Sequence, residues 1–329
     1  MNISARHPLF KGLLGHMFGE HSKAITSQAD AVLICGTYVF PEVFPAFDGV
    51  FAPGAKVIHV DLDTYEIAKN FPVDLGMLGD PKTTLAALAT ALDSTLSPEA
   101  RQAAGSRAAE IASANENALN KALEADKLVR DEVPMHASRF MEELGAVLPA
   151  DAIIFDEALT TSPELVRYMP PVLDGHFFQT RGGSLGVGIP GALGIKVANP
   201  DKTVVAFTGD GGSMYTIQAL WTAAHYNIGA KFVICNNQSY LLLKLNILEY
   251  WRERDMPEHE FPASFNLSDP VIRFDELARS MGVPAVRVET PDQIGPAIKE
   301  ALEHDGPYLI DLVITNHVPG SKVNCKCGQ

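Results

Sequence analysis

The chain is predicted to be α/β, with two doubly wound parallel-sheet domains, and three observations carry that prediction. Short apolar runs of strand length recur, each closed by a glycine or a polar residue. Segments with apolar residues at helical spacing lie between them. The polar residues Asp156, Asp210, Asn236 and Asn237 all fall at the ends of such runs. Strands alternating with helices build a parallel sheet covered on both faces, and ligands of such sheets sit beyond the carboxyl ends of the strands. The 329 residues, 47% apolar and 20% charged, suffice for two cores and contain no low-complexity stretch.

In chain order, Ala31 to Gly36 and Lys56 to Asp63 read as buried parallel strands. Pro81 to Leu96 carries Leu85, Leu88, Ala89 and Leu92 at helical spacing, with Asp80 as N-cap and Pro81 at the first helical position. From Ser97 to about Arg130 the composition favours helix but is poor in large apolar residues, which predicts an exposed helical linker. A helix over Met135 to Leu144 and a strand over Ala152 to Phe155 open a second α/β domain. It continues through strands at His176 to Gln179, Thr203 to Phe207 and Lys231 to Cys235, with helices between them. The expected division is 1–100 for the first domain, 101–132 for the linker and 133–329 for the second domain.

The formal net charge of −14 argues against a surface that neutralises nucleic-acid phosphates or anionic lipid. No apolar run reaches the roughly 20 residues that span a bilayer, and the N-terminus lacks the layout of a signal peptide. A cytoplasmic location is expected. Cys35 and Cys235 lie in apolar runs and predict inert reduced thiols. Cys325 and Cys327 form a C-x-C without a second pair of ligands nearby, which predicts an exposed tail.

Two glycine signatures compete. Gly186-Val187-Gly188-Ile189-Pro190-Gly191 matches G-x-G-x-x-G after a strand, with Asp210 as the acid at the next strand end; this is the pattern of a nicotinamide oxidoreductase. Helix packing explains the same small residues. The rival begins at that acid: Gly209-Asp210-Gly211-Gly212-Ser213 closes one strand, and Asn236-Asn237 closes the next, one helix later. That spacing sets a carboxylate and an amide oxygen on adjacent strand ends, both hard ligands for a divalent cation. The glycines offer backbone N–H groups to a diphosphate. A turn plus two caps explains each half but not their spacing.

Gly209-Asp210-Gly211 with Asn236-Asn237 resembles the metal-diphosphate motif of thiamine diphosphate enzymes. Ala219 to Ile228 is similar to the decarboxylase and acetolactate synthase-like superfamily, its benzoylformate decarboxylases above all. The resemblance implies that Asp210, Asn237 and the main-chain carbonyl of Ser239 hold Mg²⁺. Gly211, Gly212 and Ser213 would contact the diphosphate, with Tyr240 beside them. In the loop from Gly182, the Gly183 carbonyl would accept from the 4′-amino group, and Leu185 would wedge between the two rings of the cofactor. Thr160 and Thr161 stand where relatives place a diphosphate-binding loop, although helix capping accounts for them equally well. His7 stands in a segment similar to one that delivers a general acid/base.

By the same resemblance the first domain is the later part of a Rossmann-like middle domain, and the second is the diphosphate-binding fold. The activating glutamate belongs to a pyrimidine-binding domain that no segment here matches. The expected protein is thus the large or C-terminal subunit of a split 2-oxo acid decarboxylase or carboligase. It would work with a separate chain carrying that domain, as a hetero-oligomer such as a heterotetramer. The segment Tyr240 to Ile247 predicts an apolar wall suited to an aryl or branched 2-oxo acid or aldehyde, and core packing explains it as well. An acetolactate synthase-like enzyme with a flavin and a 2-hydroxyacyl-CoA lyase-like enzyme share the motif. A non-catalytic subunit would keep the fold alone.

Overall fold

A computed structural model describes residues 3–14, 17–39, 42–180, 183–319 and 321. Gly182, Cys325 and Cys327 lie outside the described residues. The chain divides into two compact units, Lys11–Ala114 and Met1–Phe10 with Asn115–Gln329.

The Lys11–Ala114 unit contains α1 (Gly19–Thr26), β1 (Ala31–Cys35), β2 (Lys56–Asp61), β3 (Leu75–Leu78) and α2 (Pro81–Thr95). Its strands form a parallel sheet in the order β1-β2-β3. Ile34, Val39 and Val57 make its small core, with Val32, Phe51, Phe71 and Val73 packed on it. Asp80 caps α2 by accepting from the Thr83 N–H at 2.8 Å, and Pro81 opens the helix as its spacing predicts. The apolar face of α2 is another matter. Leu85, Leu88 and Leu92 remain exposed, and the helix buries no residue. β3, short and exposed along its length, has no counterpart in the sequence reading.

The segment expected as a linker is one continuous helix, α3 (Pro98–Leu128), in which the division between units falls. Only Asp126 near its end is buried. There it accepts from the Arg167 guanidinium at 2.6 Å and the Tyr168 hydroxyl at 2.9 Å.

The second unit continues with α4 (Ala137–Val147), β4 (Ile153–Glu157), α5 (Ser162–Tyr168), β5 (Phe177–Gln179), α6 (Gly188–Ala198) and β6 (Val204–Gly209). Then come the single turn α7 (Asp210–Ser213), α8 (Ala219–His225), β7 (Lys231–Asn236), α9 (Leu241–Glu253), α10 (Phe274–Ser280), β8 (Ala285–Val288), α11 (Ile294–Glu303) and β9 (Tyr308–Val313). The six strands form a wholly parallel sheet in the order β5-β4-β6-β7-β9-β8.

Period-two alternation splits the strand side chains between two cores. Ile154, Val205, Phe207, Val233, Cys235 and Ile310 point to one face, under α4, α5 and α11. Ile153, Phe155, Val204, Ala206, Phe232 and Ile234 point to the other, under α6, α8 and α10. Both faces are covered, so every central strand reads as a continuous apolar run. This is the doubly wound arrangement expected of the second domain. Among the described residues no helix is long and apolar enough to cross a membrane.

The strand order fixes where a ligand can sit. β5 lies on one side of β4 and β6 on the other, so the winding reverses at β4 and opens a crevice beyond its carboxyl end. The connection from β5 to α6 must cross over that end.

Candidate functional site

Three strand ends meet at the crevice. β4 ends in Glu157, β6 runs into Asp210, and β7 runs into Asn236 and Asn237. Gly209 pairs in register with Cys235, which sets Asp210 and Asn237 on neighbouring strand ends.

Asp210 and Asn237 converge on one main-chain group. The Ser239 N–H donates to Asp210 Oδ2 at 3.1 Å and to Asn237 Oδ1 at 3.0 Å. The positive φ of 55° at Gln238 turns the chain back to allow this. Asp210 is buried, accepts a second N–H from Gly211 at 2.7 Å, and has no ion pair among the described residues. Burial pushes its carboxyl up to about 6, against the lowering effect of its N–H partners. A buried carboxylate facing an amide oxygen and lacking a cation suits a hard dication.

The Ser239 carbonyl accepts from the Leu241 N–H at 2.8 Å and keeps a second lone pair. Its hydroxyl donates to the Phe265 carbonyl. Among the described residues no three His, Cys, Asp or Glu side chains gather. A metal held here would draw on one carboxylate plus amide and main-chain oxygens, the set that Asp210, Asn237 and Ser239 could offer.

The diphosphate turn is less open than its glycines suggest. The Gly211 N–H is taken by the Asp210 carboxylate, and a Cβ on Gly211 would lie 2.4 Å from the Tyr240 ring. The ring lies against the backbone here, so a larger residue would have to displace it. The Ser213 hydroxyl donates to the Asp210 carbonyl at 2.8 Å, which spends its one hydrogen. Thr161 likewise donates to the Ala158 carbonyl at 3.0 Å and is buried, whereas Thr160 beside it is half-buried.

Neighbouring Asp156 is buried, and desolvation raises its pKa. Ala158 N–H, the Ser162 hydroxyl and the Gln179 amide satisfy it, so it holds the start of α5 in place. Asn236 turns away from the metal position. Its amide donates to buried Asp311 of β9 at 2.8 Å, whose other oxygen takes the Arg287 guanidinium of β8 at 2.5 Å.

The loop crossing β4 carries Gly183 and Gly186, both at positive φ, with Leu185 between them, 38% exposed. Among the described residues, no atom outside Gly183 and its chain neighbours stands within 4 Å of a Cβ built on Gly183. Glu157 lies beneath. Its carboxylate accepts the N–H groups of Gly186 and Gly188 and is fully buried, which raises its pKa. The glycine fingerprint is thereby explained without a dinucleotide: two N–H groups that would cradle a pyrophosphate already hold an internal anion, and Gly191 packs against the Phe155 ring. Glu157 is not singled out in the sequence reading, which misses this contact.

His7 is exposed, and its Nδ1 faces the Leu9 N–H at 3.2 Å. Its segment is tied by the Ala5 N–H to the Pro171 carbonyl, in the connection that enters β5 at the amino end of the sheet. Its proton-transfer role therefore rests on the resemblance alone.

With this geometry established, comparison with known proteins gives concordant matches. The profile described as "Thiamine pyrophosphate enzyme, C-terminal TPP binding domain" matches residues 162–312, and "Thiamine pyrophosphate enzyme, central domain" matches residues 1–88. A probable acetolactate synthase large subunit of Methanococcus aeolicus is 30% identical over 95% of this chain and 51% of its own length. A benzoylformate decarboxylase of Pseudomonas aeruginosa is 29% identical over 93% of this chain and 52% of its own. The solved thiamine diphosphate-dependent 4-hydroxybenzoylformate decarboxylase of Rhodococcus jostii superposes with a TM-score of 0.73 at 27% identity, covering 95% of this chain and 54% of that one. The chain thus spans about half the length of the relatives it matches.

Proposed function

Given that the chain belongs to the thiamine pyrophosphate enzymes, we propose that residues 133–329 bind the diphosphate of thiamine diphosphate through Mg²⁺ in a 2-oxo acid decarboxylase or carboligase. The observation that carries this reading is the convergence of Asp210 Oδ2 and Asn237 Oδ1 on the Ser239 N–H. When bound, the cofactor supplies the electron sink for cleaving or forming a bond beside a carbonyl. The chain's own residues do the holding. Asp210, Asn237 and the Ser239 carbonyl anchor the metal, Gly212 and Ser213 line the diphosphate with main-chain groups, and the Gly183 carbonyl with Leu185 orients the rings.

The substrate side is apolar. Leu241, Leu245 and Ile247 of α9 pack into a cluster around Leu248, Trp251 and Val318, while Leu242 and Leu243 remain exposed. Those two, with Tyr240, suit an aryl or branched 2-oxo acid or aldehyde. An acetolactate synthase-like carboligation is the second reading, favoured by the similarity to the archaeal large subunit.

The site is completed, in this proposal, by a pyrimidine-binding domain carrying the activating glutamate and supplied by a second subunit in a hetero-oligomer. Two experiments test the reading. Calorimetry with thiamine diphosphate and Mg²⁺ should show binding that Asp210→Ala abolishes; affinity near that of the parent would sink the metal assignment. Hydrogen–deuterium exchange at the cofactor C2 should stay at the solution rate with this chain alone and rise when the pyrimidine-binding domain is added.

A further inference from the structure

The connection from β5 to α6 passes over the carboxyl end of β4, where one buried carboxylate meets it. We propose that Glu157 is a positioning residue for the ring-contacting loop: it holds Gly183 to Gly188 in the shape that presents Leu185 to the cofactor rings. The inference rests on the cofactor reading above and assigns it a residue outside the metal-diphosphate motif.

Capping of α6 would need only the bond to Gly188, at the first position of that helix. The second carboxylate oxygen reaches past the helix start to Gly186, the residue directly after Leu185. The other side of the same residue is also held, because the Thr216 hydroxyl donates to the Gly186 carbonyl at 2.6 Å. Gly186 is thus fixed through both its N–H and its C=O, and a Cβ there would lie 2.5 Å from that of Tyr215. At Gly188 a Cβ would come within 2.7 Å of Glu157 Oε2, so only glycine lets the carboxylate seat.

Leu185, on this footing, leaves its side chain exposed. An exposed leucine is useful as a wedge only if its backbone does not yield. The carboxylate also borders the diphosphate turn, since a Cβ on Gly212 would stand 3.4 Å from Glu157 Oε1. That is ordinary van der Waals spacing, so the carboxylate ties the loop by hydrogen bonds and only abuts the turn.

Glutamine at position 157 has one acceptor oxygen in place of two and sets an N–H₂ group against the other N–H. Glu157→Gln should then loosen the loop while leaving the metal and diphosphate ligands in place. The full chain is titrated with two probes, thiamine diphosphate with Mg²⁺ and inorganic diphosphate with Mg²⁺. The variant is expected to lose about tenfold in affinity for thiamine diphosphate and none for inorganic diphosphate. Its Gly186 and Gly188 amides should also exchange faster with solvent by NMR. Equal loss for both probes, or no loss for either, overturns the proposal. A parent chain that binds neither probe overturns the cofactor reading itself, and this inference with it. If Glu157→Gln does not fold, Thr216→Val, which frees the Gly186 carbonyl, is judged by the same selective loss.

Discussion

Asp210 shows how burial and ligand binding oppose each other at a single residue. Its folded-state pKa of about 6 lies above the unfolded value of about 3.9. Between those values the folded metal-free chain holds the proton more firmly than the unfolded chain. The stabilising contribution is present at low pH and is lost as pH rises from about 4 to about 6. A dication reverses the preference because it requires the ionised carboxylate. Affinity for Mg²⁺ with thiamine diphosphate is therefore expected to fall about tenfold per pH unit below about pH 6. Calorimetry in buffers of differing ionisation enthalpy should detect proton release on binding, and affinity that does not change with pH would remove Asp210 from the metal site. Ser239→Ala is expected to be mild in the same assay, because both groups offered by that residue to the site are main chain. Asp210 and Asn237 were legible in the sequence through their spacing, and Ser239 only through the family resemblance. Glu157 was not, because its partners are N–H groups of a loop distant in sequence, and no side-chain pattern records them.

At the scale of elements, the central strands and the crossing loop make contrasting predictions. Phe207 of β6 and Phe232 of β7 are fully buried on opposite faces of the sheet. Replacing either with alanine should cost about 3–5 kcal/mol in denaturant unfolding. Leu88 of α2 belongs to an apolar stripe at helical spacing that the structure leaves exposed. Leu88→Ser should change unfolding by no more than about 0.5 kcal/mol, and a larger cost would mean that the stripe is covered in solution. In the loop, Leu185→Gly should lower turnover of the complete enzyme more than it lowers stability, since an exposed side chain contributes little to folding. Parental turnover in that variant would show that the loop has been misaligned. The strands Ala31–Cys35, Lys56–Asp61, Val204–Gly209 and Lys231–Asn236 were readable as apolar runs. β9 was missed although it lies between β7 and β8. It carries Asp311 within its apolar run, and that acid is tolerated only because Asn236 and Arg287 pair with it.

For the whole molecule, the proposed pyrimidine-binding partner needs a face to dock on. The exposed apolar residues Leu185, Met214, Tyr215, Leu242 and Leu243 belong to segments that carry or adjoin the proposed cofactor site. We take them as candidates for that face, since large exposed apolar patches mark contact surfaces. Mixing the chain with the pyrimidine-binding domain should yield a larger species by light scattering, with Met214→Glu weakening it. Unchanged association in that variant would place the contact elsewhere.

The sequence by itself determined the α/β class, the location of most central strands along the chain, and the placing of Asp210 and Asn237 on neighbouring strand ends. Each of these depends on local periodicity or on residues one helix and one strand apart, where chain geometry leaves little freedom. Tertiary structure alone decided that the glycine fingerprint serves a buried carboxylate in place of a dinucleotide. That outcome depends on which unsatisfied N–H meets which acceptor once β5 and β6 close on either side of β4. That choice is governed by the cost of leaving a buried polar group unpaired, and it involves residues about thirty positions apart.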